Sequence, residues 1–104
     1  MKPALFDRVE LLVELPEVEL HPGDRGAIVE SYAEGKYEIE FSNPQGETLA
    51  LQVLSPEQFS VVWQATTQRW LSVSEQLAIL LDRLSDERQQ DVLQFARSLI
   101  GAPN

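Results

Sequence analysis

Apolar and polar positions follow two different periods along this chain, and the change falls near residue 65. Before it, apolar residues come in short runs broken by turn formers; after it, they recur every three or four positions. Residues 5–15, LFDRVELLVEL, begin as an extended apolar stretch that Pro16 and the acids after it end, which predicts a first strand. HPGDRG is a turn built on Pro22, Gly23 and Gly26. AIVESY and KYEIEF then read as the arms of a hairpin, because Tyr37, Ile39 and Phe41 alternate with Glu38 and Glu40. After the turn NPQG, ETLALQVL predicts a fourth strand in which Leu49, Leu51 and Val53 alternate with Ala50 and Gln52. SPEQF reads as one helical turn with Pro56 at its first position, and FSVVWQ as a fifth strand.

The hairpin register follows from its turn. With Gly35 in the left-handed position of a three-residue loop (Ala33, Glu34, Gly35), Tyr32 faces Lys36. Counting back pairs Ser31 with Tyr37, Val29 with Ile39 and Ala27 with Phe41 on the core face. The outer face then pairs Glu30 with Glu38 and Ile28 with Glu40, whereas a one-residue slip would bury Glu30 beside Ile39.

The last third predicts two helices. Ser72 with Glu75 makes a capping box, and Val73, Leu77, Leu80, Leu81 and Leu84 repeat at helical spacing. Ser85, ahead of Asp86 and Glu87, starts the second helix; Val92, Phe95, Ala96 and Leu99 form its stripe, and Gly101 and Pro103 stop it. The short break at residues 84–86 predicts an antiparallel helical hairpin. The fold class is therefore mainly β with α: a small SH3-like antiparallel β-barrel of about five strands, followed by a C-terminal two-helix hairpin. The expected divisions are a barrel over residues 1–64, a linker over 65–71 and the hairpin over 72–101.

Charge changes this picture more than composition does. The net charge is −9, and residues 1–64 hold twelve acids against Lys2, Arg8, Arg25 and Lys36, while residues 65–104 are nearly balanced. Such a surface repels phosphate backbones, so no nucleic-acid partner is expected for the barrel, and it favours a basic protein. The length suits one modest core. No apolar run is long enough for a membrane span, and the N-terminal stretch lacks the features of a secretory signal. With no cysteine, disulfide and thiolate chemistry drop out, and the expected address is cytoplasmic.

No reaction is written into the residues. The one histidine, His21, stands beside Pro22 in a turn with nothing in sequence to orient it. No loop alternates Asp and Asn ligands as a calcium site does, and Gly23 and Gly26 lack the lysine and helix of a phosphate loop. No catalytic, metal or cofactor residue is expected. Barrels with a Gly followed by Ile-Val include RNA binders, but those carry basic loops where this chain has Asp24, Glu34 and Glu47. Trp63 and Trp70 bracket the linker, placed either to cement the helices to the barrel or to anchor a partner.

LFDRVELLVELPE, PGDRGAIVESYAEGKYEIEF and GETLALQVLSPEQF together resemble the bacterial family known as domain of unknown function 4926. The likeness covers about residues 5–62, in a set order: Phe-Asp-x-Val, Leu-Pro-Glu, Gly-x-x-Gly-x-Ile-Val-Glu, Tyr-Glu-x-Glu-Phe, then a Gly-containing turn. The resemblance implies an SH3-type barrel and the antitoxin half of a toxin–antitoxin pair, with no catalytic residues to carry over. LDRLSDERQQDVLQFARSL is similar to the Pro-Glu-Gln-Gln helix at the end of many small antitoxin-like proteins, with Ser85-Asp86-Glu87-Arg88 in place of the Pro-containing start. The expected function is non-catalytic binding and neutralisation of a basic, ribonuclease-type toxin. The acids Glu30, Glu38 and Glu40 would steer it, and Trp70, Leu77, Leu81, Val92, Phe95 and Leu99 would supply contact. The alternatives are an adaptor or assembly subunit that dimerises through its helices, and an RNA-binding barrel.

Overall fold

The computed structural model describes residues 2–102. Its chain divides into two compact units, one ending at Ser72 and one beginning at Val73.

The first unit is a six-stranded antiparallel sheet. Its strands are β1 (Arg8–Leu11), β2 (Arg25–Ser31), β3 (Tyr37–Ser42), β4 (Thr48–Leu54), β5 (Phe59–Gln64) and β6 (Arg69–Trp70), in the order β4-β3-β2-β1-β5-β6. The sheet is rolled. Tyr37 on β3 and Phe59 on β5 meet edge to face with centroids 5.8 Å apart. Two strands separate β3 from β5 in the order, and at about 4.8 Å per step a flat sheet would keep them roughly 14 Å apart. Val9, Leu11, Ile28, Ile39, Phe41 and Phe59 fill the space inside the roll, each no more than 1% exposed. The expected single helical turn is present as a 3-10 turn at Pro56–Gln58, where the Gln58 side-chain oxygen accepts hydrogen bonds from the Ser55 N–H (2.9 Å) and hydroxyl (3.2 Å).

The β2–β3 turn has the expected geometry. Gly35 lies at φ +76°, its N–H donates to the Tyr32 carbonyl and the Tyr32 N–H to the Lys36 carbonyl. Ser31 pairs with Tyr37 and Glu30 with Glu38. Beyond that the expected register fails, because a bulge at Val29 moves the ladder on by one residue. Ile28, not Val29, faces Ile39; Ala27 faces Glu40; and Gly26 faces Phe41. The reason lies at Gly26, where a Cβ would stand 2.8 Å from Ile39 Cγ2 and 3.0 Å from Phe41 Cδ1. Two β3 core side chains, Ile39 and Phe41, pack over the one β2 position without a side chain, and the bulge brings it there.

β4 is the strand expected, and the structure adds which side of it faces out. Its alternation is as read, but Leu51 and Val53 pair with Glu40 and Glu38 on the outer face, while Ala50 and Leu54 pair with Phe41 and Tyr37. A second bulge leaves Leu49 between the Phe41 and Ser42 pairings, and all three of Leu49, Leu51 and Val53 are more than half exposed. Residues 65–71, expected as a linker, instead turn back and form β6, and the buried Leu71 donates its N–H to the Val62 carbonyl.

The second unit holds α1 (Val73–Asp82) and α2 (Asp86–Gly101). Ser85 caps α2 as expected, its hydroxyl accepting from the Arg88 N–H at 3.3 Å; Pro103, the expected stop signal, lies outside the described residues. The Gln89 amide nitrogen donates to the Leu81 carbonyl (2.7 Å) and reaches the Leu84 carbonyl (3.4 Å), so α2 caps the end of α1. The helices meet at this corner. Neither has a buried residue, and no helix among the described residues is long and apolar enough to cross a membrane.

Candidate interaction surfaces

The outer side of β2, β3 and β4 forms one continuous surface. Glu30 and Glu38 are direct cross-strand neighbours, and Glu40, Leu51, Glu38 and Val53 form two further cross-strand pairs, Glu40 with Leu51 and Glu38 with Val53. Of the three predicted acids, the structure places all on this face. Tyr32 stands beside them: its hydroxyl donates to Glu38 Oε1 at 3.3 Å, and its ring lines a shallow groove with Val53. Loss of hydration and then the charge and hydrogen bond of Glu38 hold the Tyr32 phenol above its ordinary pKa, with Glu30 adding to the effect. Sequence reasoning named the carboxylates but not the apolar row next to them, which the alternation of β4 offered without saying which side faces out.

A second surface gathers side chains that the sequence scatters. On the outer side of β1, β2, β5 and β6, the Arg8 guanidinium lies 5.2 Å from the Trp63 ring centroid and 5.6 Å from that of Trp70, and Arg25 lies 5.5 Å from Trp70. The two indoles meet at 6.4 Å and 60°. Arg25 also reaches Glu10 at 3.4 Å. These contacts hold Trp70 beside a cleft of about 590 Å³ whose walls include Arg8, Arg25, Ala27, Glu40 and Asn43. Trp70, predicted as a contact residue, thus sits between two cations. Arg8 and Arg25 were missed; the pairing of Arg8 with Trp63, which assembles the cluster, exists only once β1 lies beside β5.

The helices bring together only part of their predicted set. Leu77, Leu81 and Val92 line an open groove of about 690 Å³ with Gln89, Leu93 and Ala96. Phe95 (64% exposed) and Leu99 (60%) lie outside it.

His21 has an orienting partner after all: its Nδ1 lies 2.7 Å from Glu14 Oε2, both side chains exposed. The hydrogen bond and charge of Glu14, followed by the charges of Asp24 and Glu19, raise the imidazole pKa above its ordinary 6.5. Among the described residues no group of three or more His, Asp or Glu converges as a metal site needs. Asp7 is 3% exposed, and its two oxygens each accept a 2.9 Å hydrogen bond, one from the Ala4 N–H and one from Ala65, 58 residues away. It ties the start of the chain to the turn after β5.

No curated protein and no solved structure matches the chain. A family model described as Domain of unknown function (DUF4926) matches residues 5–61, spanning β1 to the first half of β5 and therefore the acidic face, and with more than half of the sequence covered the chain belongs to that family.

Proposed function

We propose that this protein is a non-catalytic binding module that takes up a basic protein and neutralises it in an antitoxin-like manner. The observation that carries the reading is the outer face of β2–β4: Glu30, Glu38 and Glu40 beside exposed Leu51, Val53 and Tyr32, on a chain of net charge −9. Carboxylates at neighbouring cross-strand positions repel one another, and a partner's Lys or Arg relieves that repulsion while apolar neighbours give it surface to bury. The strand order, with a 3-10 turn ahead of β5, supports an SH3-like barrel as the scaffold.

The reading is tested on a partner identified by crosslinking in cells, with a photo-reactive residue at Leu51. The partner should carry net positive charge, and its toxicity or nuclease activity should fall when the intact chain is co-expressed. Association should slow with added salt and with Glu30, Glu38 and Glu40 all changed to Gln. An acidic partner, or association indifferent to both salt and the triple substitution, overturns the reading.

The open groove between α1 and α2 favours a second reading, an assembly subunit that dimerises through its helices. Sedimentation would then show a dimer that Leu81→Glu dissociates.

A further inference from the structure

β4 ends the sheet, so among the described residues no strand lies along one side of its backbone. Edge strands are usually guarded by lysine, proline, an inward charge or shortness. β4 runs for seven residues, TLALQVL, with no charge and no proline. Its bulge lies at Leu49, and from Ala50 to Leu54 the pairing with β3 is regular. The Leu51 carbonyl takes its hydrogen bond from the side-chain amide of Gln52 at 2.9 Å, a contact that an incoming backbone N–H can replace.

The side chains next to this edge come in a telling order. Leu51 and Val53, 51% and 54% exposed, stand at the edge, and Glu40 and Glu38 lie directly behind them, one strand further in. A strand added to β4 would run about 4.8 Å beyond Leu51 and Val53 and about twice that from β3. A Lys or Arg on its outer face has a stem long enough to lie across Leu51 or Val53 and set its charge against Glu40 or Glu38. Apolar surface followed by carboxylate, repeated at two successive outward positions, fits a basic side chain at every second residue.

We propose that the free edge of β4 is a strand-addition site for an extended segment of a basic partner protein, with Lys or Arg at alternate positions. Main-chain bonds to Leu51 and Val53 hold the segment, and the alternate cations select it. The inference rests on the basic-partner reading above and adds how the partner is held.

The probe is a synthetic acetylated peptide, Thr-Lys-Val-Lys-Val-Lys-Thr amide, alongside the same peptide N-methylated at its valines and lysines so that it cannot pair as a strand. The free peptide should bind the full-length protein at low salt and slow amide exchange at Leu51 and Val53. The methylated one should bind at least about tenfold more weakly, because two or three main-chain hydrogen bonds are lost. Equal binding of both overturns strand addition and leaves the basic-partner reading standing; binding of neither removes both. Sedimentation of the protein alone closes the remaining route: a dimer dissolved by Leu51→Lys would give the edge to a second copy and overturn the proposal.

Discussion

Two carboxyl groups in the first unit do opposite kinds of work, and single substitutions separate them. Asp7 is buried and holds two backbone N–H groups from distant parts of the chain. Hydrogen bonds to a charged group are the stronger kind, and removing the acceptor leaves both donors without it. Asp7→Ala should cost about 2–4 kcal/mol in urea unfolding, and Asp7→Asn, which keeps one acceptor, less than that. Glu14 is exposed and acts on its neighbour instead. Because His21 has its pKa raised in the fold, the pair contributes to stability when the imidazole is protonated. That contribution is fully present below the ordinary histidine value near 6.5 and fades as pH rises through the raised one. As His21 is the single histidine, its ring resonances in an NMR titration need no assignment. They should titrate above 6.5 in the native protein and move down toward that value in Glu14→Gln. A titration unchanged by the substitution would assign the shift to Asp24 and Glu19.

At the scale of the element, the β2–β3 hairpin carries the cost of its acidic face. Opposed like charges destabilise a cross-strand pair by roughly 0.2–1 kcal/mol, so changing Glu30 and Glu38 together to Gln should raise stability by a few tenths to about 1 kcal/mol. In Glu38→Gln the side-chain amide oxygen can still accept from the Tyr32 hydroxyl, so the gain reads the charge alone. Thermal unfolding in low and high salt checks this, since the advantage should shrink as salt screens the native pair. The same hairpin shows what the sequence could and could not carry. Gly35 and the alternation of β3 were enough to place the turn and the Glu30–Glu38 pair, because both follow from local geometry. The bulge at Val29 was not legible: Ile28 and Val29 are adjacent, β-branched and equally suited to face inward. What decides between them is the packing of Ile39 and Phe41 over Gly26, a contact between strands. β4 was legible only in part, because its sequence left open which side faces out. Its apolar alternation named a strand, but a bulge at Leu49 and the burial of Leu54 against Tyr37 turned Leu51 and Val53 outward. The Arg8–Trp63–Trp70–Arg25 cluster had no linear signature at all, since its members come from four strands.

Over the whole molecule, burial is divided as sharply as the chain. Among the described residues every buried one, from Asp7 to Leu71, belongs to the unit that ends at Ser72, and neither helix of the other unit contributes one. Helices draw most of their stability from a packed apolar face, and below about 12–15 residues an isolated helix is marginal even with favourable composition. α1 has 10 residues and α2 has 16, and the cap from Gln89 and the Ser85 N-cap fix their ends without burying a face. A chain cut after Ser72 should therefore keep the sheet, including β6 and Leu71. Its midpoint in urea should stay close to that of the full chain, followed by the fluorescence of Trp63 and Trp70, which are both retained. Hydrogen exchange on the full chain should show the complementary pattern: amides of β2 and β1, at the centre of the sheet order, protected to the level of global unfolding, and those of α1 and α2 exchanging far faster. Adding the basic partner then distinguishes the surfaces. If contact is confined to the sheet face, protection rises at Leu51 and Val53 while the helices stay as they were. If the α1–α2 groove closes on the partner, helix protection rises by orders of magnitude, and the cut chain loses that part of the affinity.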